Sequence, residues 1–104
     1  MMKAVMSALA LSAALFSPLA HADQALANAK ACMACHEVAA KKLGPAYKEV
    51  AAKYAKDKNA VVYLAEKIQK GSSGVWKGPM AAMPANAVTA DEAKKLATWV
   101  MSLK

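Results

Sequence analysis

The stretch Cys32-Met33-Ala34-Cys35-His36 has the C-x-x-C-H spacing that is typical of covalent attachment of a c-type haem. About one helical turn separates the two sulfurs, so both thiols can reach vinyl groups on one edge of a macrocycle. The adjacent histidine is then held against the iron as its proximal axial ligand. The motif therefore predicts haem thioethers at Cys32 and Cys35 and iron ligation by His36.

The same cysteine spacing also occurs in zinc sites, redox dithiols and structural disulfides. The chain has only two cysteines and two histidines, and the second histidine, His21, lies in a segment that we expect to be removed. A zinc site would therefore lack its fourth strong ligand. A thioredoxin-like dithiol is typical of a βαβ pattern, whereas this chain shows helical periodicity. A haem-free dithiol oxidoreductase remains one alternative function.

Residues 1–22 have the parts of an export signal. Lys3 supplies positive charge, residues 4–16 are apolar, and Ala20-His21-Ala22 is an A-x-A cleavage site. The alternative is a retained membrane anchor, but the apolar run is shorter than the roughly 20 residues that span a bilayer. We therefore predict a soluble periplasmic domain of residues 23–104 with no stable membrane anchor, in a compartment where haem attachment of this type takes place.

The mature chain of 82 residues is long enough for one domain but poor in large apolar side chains. Its aromatic residues are Tyr47, Tyr54, Tyr63, Trp76 and Trp99. A domain of this size usually needs an additional stabilising element. A covalently held haem would supply the missing apolar mass and would lie at the centre of the fold.

All 14 basic residues of the chain are lysines, and the mature part has 13 of them against 7 acids, a formal charge of +6. Such a surface can attract acidic partners, nucleic acids or membranes. The lysines are spread along the helical stretches and no nucleic-acid motif accompanies them, so we do not expect nucleic acid as a partner. Most of these lysines are expected to form an ordinary solvated surface.

Four stretches show the apolar spacing of helices, and none alternates convincingly as a strand. They begin near Asp23, after Gly44-Pro45, near Asn59 and at the capping box Thr89-Ala90-Asp91-Glu92. The first is expected to run into the C-x-x-C-H motif and end near His36, and the third to stop at Gly71. The sequence therefore predicts a single all-α domain.

The longest segment without helical character runs from Gly71 to Val88 and contains Trp76, Met80 and Met83. A methionine thioether from this segment could bind the face of the iron opposite the histidine. Ligation by histidine and methionine leaves no vacant coordination site and suits electron transfer. The alternative is that both methionines only fill gaps in the core.

Residues 23–104 resemble the small class I bacterial cytochromes c of the cytochrome c-551 type over essentially their whole length. The resemblance rests on Cys32-Met33-Ala34-Cys35-His36, Gly44-Pro45-Ala46-Tyr47, Gly74-Val75-Trp76, Met83-Pro84 with Asn86, and the helix of residues 89–104. It implies a class I cytochrome c fold, with about four helices around one covalent haem c. It also implies a monomeric carrier of single electrons that is not an enzyme.

The resemblance further implies contacts between individual residues and the haem. The carbonyl of Pro45 would accept the ring proton of His36 and fix its orientation. Trp76 would donate its indole N–H to a haem propionate, and Lys67 would supply a basic group near a propionate. Asn86 would form a hydrogen bond near the axial sulfur.

The methionine segment departs from the family pattern, which usually has four residues between tryptophan and the ligand, followed by two prolines. Here six residues separate Trp76 from Met83, and Ala82 and Ala85 stand where prolines are common. Counting back from the last helix favours Met83 as the axial ligand, with Met80 as the second candidate. Because prolines that would restrict the loop are missing, Met80 could exchange with Met83.

By the same resemblance, the partners would be a respiratory donor and a terminal reductase, oxidase or peroxidase. Docking would be transient, would weaken with salt, and would use lysines at the haem edge such as Lys30 and Lys77. A ligand-binding or peroxidase-like haem protein is the competing function if Met83 does not bind iron. The mature chain offers no second histidine for such a distal pocket.

Overall fold

Four helices and one short strand pair make up the computed structural model, which describes residues 18–77 and 82–103, with side chains from Asp23 onward. The helices are α1 (Pro18–Ala29), α2 (Tyr47–Lys53), α3 (Ala60–Lys70) and α4 (Ala90–Ser102), and the strands are β1 (Ser72–Ser73) and β2 (Ala82–Met83). The apolar run of residues 4–16 and Met80 lie outside the described residues. Within the described parts of the chain, no helix has the length and apolar character needed to cross a membrane.

The first helix differs from the prediction. α1 begins at Pro18, so the expected cleavage point after Ala22 falls inside it, and it ends at Ala29. Ala31 then has a φ of 62°, and Cys32–Ala34 form a short 3₁₀ helix. The prediction of one helix running from about Asp23 to His36 was therefore wrong. A left-handed residue breaks a right-handed helix, and apolar spacing does not reveal that turn.

The predicted positions of the other three helices are confirmed. α3 lies between Asn59 and Gly71, and α4 begins directly after Thr89. The capping box of α4 is formed in both directions. Thr89 Oγ1 accepts from the Glu92 amide at 3.1 Å, and Glu92 Oε1 accepts from the Thr89 amide at 2.9 Å. The bond from the Thr89 backbone is the main reason why the pKa of Glu92 is lowered.

The core forms where α4 packs against the other three helices. Its buried apolar residues are Ala27, Tyr47, Val50, Leu96, Trp99 and Val100. Tyr47 meets Trp99 edge-on at 5.5 Å, a geometry worth about 0.5–1.5 kcal/mol beyond the burial of area. Among the described residues no large side chain is fully buried, which fits the thin core expected from the composition.

The strand pair was not expected from the sequence. β1 and β2 are antiparallel, with Ser72 opposite Met83 and Ser73 opposite Ala82. Two residues per strand are too few to show an alternating apolar pattern, so sequence reading misses them. The pairing connects the end of α3 to the segment that carries Met83.

Candidate functional site

One cavity is bounded by the C-x-x-C-H motif, the facing sides of α2, α3 and α4, and the strand pair. It encloses about 1230 Å³ when the space at its open mouth is counted, far more than a bare metal ion needs. Eight residues predicted from the sequence line it: Cys32, Cys35, His36, Pro45, Lys67, Trp76, Met83 and Asn86. The fold therefore brings together every predicted site residue that lies in the described parts of the chain.

His36 is the buried polar residue of this cavity, with 8% of its surface exposed. Its Nδ1 lies 2.8 Å from the carbonyl oxygen of Pro45. A histidine that donates Nδ1–H to a backbone carbonyl is held in one tautomer, with Nε2 left to bind a metal. The protein's own backbone thus orients the imidazole ring.

Two further residues hold the imidazole ring, and sequence reading did not identify either contact. The Tyr47 ring stacks on it with centroids 4.7 Å apart and an interplanar angle of 20°. On Gly44 a Cβ atom would lie 2.5 Å from His36 Cε1 and 2.9 Å from Nδ1, so only glycine allows this approach. In the sequence, Gly44-Pro45 indicated only a helix boundary. It did not reveal that Gly44 contacts the ring of His36.

The surroundings of Cys32 differ from those of a reactive redox thiol. Both cysteines are free thiols, and Cys32 is half-buried. Burial raises the pKa of the Cys32 thiol, with a smaller opposing contribution from a hydrogen bond to Tyr47. A reactive dithiol needs a lowered pKa, so this environment speaks against the dithiol alternative. In the described parts of the chain, no three His, Cys, Asp or Glu side chains lie close enough together to hold a zinc ion.

Lysine and aromatic side chains line the side of the cavity formed by α2 and α3. Lys67 Nζ lies 5.2 Å from the centre of the Tyr63 ring, and Lys53 Nζ lies 5.3 Å from that of Trp76. Tyr54 packs on Tyr63 at 5.4 Å; its burial, followed by a hydrogen bond to Tyr63, raises its pKa to about 12. Lys67 is the lysine of this group that lines the cavity, and its contact with Tyr63 is a cation–π interaction.

Asn86 ties the segment that carries Met83 to the end of α3. Its Nδ2 donates to the carbonyl oxygen of Ile68 at 2.9 Å and to that of Pro84 at 3.4 Å. Its backbone amide also donates to Ile68, at 3.2 Å. The hydrogen bond expected near an axial sulfur stays a prediction, as does the indole contact expected of Trp76.

The residues present fit a haem of the c type. The lining combines the two cysteines, His36 and Met83 with apolar residues of α3 and α4. Thiols attach the macrocycle, imidazole and thioether bind its iron, and apolar walls enclose it.

The comparisons with known proteins agree with this geometry. The family model described as Cytochrome c matches residues 22–104. Cytochrome c-552 of Hydrogenobacter thermophilus is 57% identical over 83 residues, which are 80% of this chain and 83% of that protein. Cytochrome c-551 of Pseudomonas aeruginosa is 55% identical over 75 residues, 72% of this chain and 70% of that protein. The crystal structure of wild-type Nitrosomonas europaea cytochrome c552 covers 78% of this chain and 99% of its own, at 49% identity and a TM-score of 0.73.

The close contact at Gly44 predicts that Gly44→Ala destabilises the haem-loaded protein. A methyl group there must displace the His36 ring, and overpacking of this kind costs about 1–3 kcal/mol of unfolding free energy. Denaturant titration measures the loss. Lys41→Ala, an exposed position in the same loop, serves as the control and is expected to change stability by less than about 0.5 kcal/mol. Equal stabilities of the two variants would contradict the contact.

Proposed function

This chain belongs to the cytochrome c family, and on that premise we propose that it is a soluble periplasmic electron carrier with His36 and Met83 as its axial ligands. Covalently bound haem c with its iron is the cofactor of this family, and the chain has the two cysteines in the required spacing. Its relatives are small electron-transfer haem proteins, which in general are not enzymes. The observation that carries the proposal is that Cys32, Cys35, His36 and Met83 line one cavity.

When bound, haem c supplies a one-electron couple between ferric and ferrous iron. The thiols of Cys32 and Cys35 would hold it by adding S–H across two vinyl groups. His36 would bind iron through Nε2, since Nδ1 donates to Pro45. That donation makes the imidazole a stronger ligand and prevents ring rotation, so the coordination changes little when the charge of the site changes.

Met83 would supply the second axial ligand. Its place on β2, paired with Ser72 and followed by the bonds of Asn86 to Ile68, supports a fixed position at the cavity wall. A thioether ligand favours the ferrous state and leaves no position for a substrate. Met80 stays the second candidate and lies outside the described residues. Trp76 and Lys67, both lining the cavity, would contact the propionates.

Transient docking to a respiratory donor and to a terminal reductase, oxidase or peroxidase completes the proposal for a monomeric carrier. Leu43 and Val75 line the cavity and are 40% and 38% exposed, so they could form an apolar contact at its mouth. Lys77 is exposed and has no ion pair with another described residue, whereas Lys30 lies 3.6 Å from Glu92. We therefore assign more of the attraction for acidic partners to Lys77 than to Lys30.

Export is the remaining part of the proposal. Residues 1–22 would be removed, leaving residues 23–104 as the cytochrome c domain. The start of the family match at residue 22 supports this boundary.

Optical spectra of the oxidised protein test the axial ligands. Met83→Ala is expected to abolish the weak methionine-to-iron charge-transfer band, because the thioether that produces it is removed. Met80→Ala is the matched control and should keep the band. Loss of the band in the Met80 variant alone would reverse the assignment. A high-spin wild-type haem that binds carbon monoxide readily would favour the ligand-binding alternative and make Met83 a packing residue.

The intact mass of protein exported by a host with haem-attachment machinery tests export and attachment together. We expect a chain that starts at Asp23 and carries one haem that resists acid-acetone extraction. The variant with both Cys32→Ala and Cys35→Ala should lose the covalent haem, because it has no thiols. Protein that keeps residues 1–22 would contradict removal of the export signal. A colourless wild type would contradict haem attachment.

The role of Lys77 is tested by the rate of electron exchange with an anionic redox reagent at increasing salt. Lys77→Gln should slow the reaction at low salt and converge with the wild type at high salt, because screening removes the attraction. Neither lysine lines the cavity, but Lys77 directly follows Trp76, which does; Lys94→Gln is the control because it removes an equal charge from an exposed position of α4. An equal effect of both substitutions would show that net charge alone, rather than Lys77, sets the rate.

A further inference from the structure

Gly71 ends α3 and lies against the backbone of the segment that carries Met83. A Cβ atom on this residue would lie 2.7 Å from the carbonyl oxygen of Met83, 3.1 Å from the amide nitrogen of Ala85 and 3.2 Å from the carbonyl carbon of Pro84. All three neighbours are backbone atoms. Rotation of a side chain therefore cannot relieve the contact, and the whole segment would have to move.

The backbone conformation of Gly71 also requires glycine. Its φ of 90° and ψ of 173° fall in a region that is essentially restricted to this residue. The conformation turns the chain from the last turn of α3, where the Gly71 amide donates to Lys67 at 2.7 Å, directly into β1. Ser72 of β1 then pairs with Met83.

We propose that Gly71 is a positioning residue for the axial methionine. Its missing side chain sets how closely the backbone of Met83 approaches the end of α3. Because α3 also supplies Leu64 and Ile68 to the cavity wall, that approach determines how far the thioether reaches into the cavity. The strand pairing and the Asn86 hydrogen bonds hold the Met83 segment in place. Gly71 sets the distance between that segment and the end of α3. The inference rests on the proposed function, in which Met83 is the ligand.

Gly74 provides a matched control within the same segment. Its φ of 77° is also positive, but a Cβ atom there would meet nothing within 4 Å. Alanine at either position therefore carries a side chain at positive φ, and only alanine at position 71 adds the contact with Met83. The comparison therefore controls for a side chain at positive φ in this segment, and a stability-matched titration accounts for the remaining difference in backbone strain.

The test measures the affinity of the ferric, haem-loaded protein for imidazole, which competes with an axial methionine, together with the charge-transfer band. Gly71→Ala should bind imidazole about 10-fold more tightly or better, since the overpacked contact weakens the methionine–iron bond by at least that factor. Its charge-transfer band should weaken or shift. Gly74→Ala should stay within about 2-fold of the wild type, because its added methyl group meets no neighbour.

A general loss of stability is separated from the positioning effect by a further measurement. The wild type is titrated with imidazole at the denaturant concentration that lowers its unfolding free energy to the value of Gly71→Ala. An equal gain in imidazole affinity would attribute the effect to stability and overturn the proposal. If Gly71→Ala does not fold, the wild type and both alanine variants are compared in sucrose, which favours the compact state.

Met83→Ala distinguishes failure of the inference from failure of the proposed function. If Met83→Ala keeps the charge-transfer band, Met83 is not the ligand and both proposals fail. If Met83→Ala abolishes the band while Gly71→Ala changes neither the band nor the imidazole affinity, only the role of Gly71 is refuted.

Discussion

The hydrogen bond between His36 Nδ1 and the carbonyl oxygen of Pro45 is the interaction on which the rest of the site depends. It orients the imidazole ring, which also stacks on Tyr47, a residue of the core. Tyr47 in turn meets Trp99 of α4, the helix that packs against α1, α2 and α3. The proposed ligand His36 is thus connected to the main packing centre of the domain, and such a rigid ligand would suit an iron that only changes its charge.

The domain and its cofactor form one structural unit. Its described residues include no fully buried large side chain, and the cavity lies between the apolar faces of α2, α3 and α4. In a soluble protein of this size such faces are usually buried against each other. Haem c, the covalent cofactor of the family, would fill that place under the proposed function, and the same apolar residues that stabilise the fold would then keep water from the iron.

Two glycines allow the backbone to approach the two proposed axial ligands closely. Gly44 borders the ring of His36, whereas Gly71 borders the main chain of Met83. The histidine side is also restrained by Pro45 and Tyr47, but the methionine side depends on a short strand pair and on Asn86. The proposed histidine ligand is therefore held by contacts on several sides, whereas the proposed methionine ligand depends on the geometry of its segment.

The sequence by itself predicted the haem motif, three of the four helix positions and the eight residues that line one cavity, because these depend on local spacing, caps and family resemblance. It did not reveal that α1 ends at Ala29, since the left-handed turn at Ala31 leaves no trace in apolar periodicity. Only the tertiary structure decided that Tyr47 stacks on His36 and that Gly71 borders Met83. These contacts join residues that are distant in sequence, and distances of a few ångströms arise from packing of the helices rather than from any local pattern.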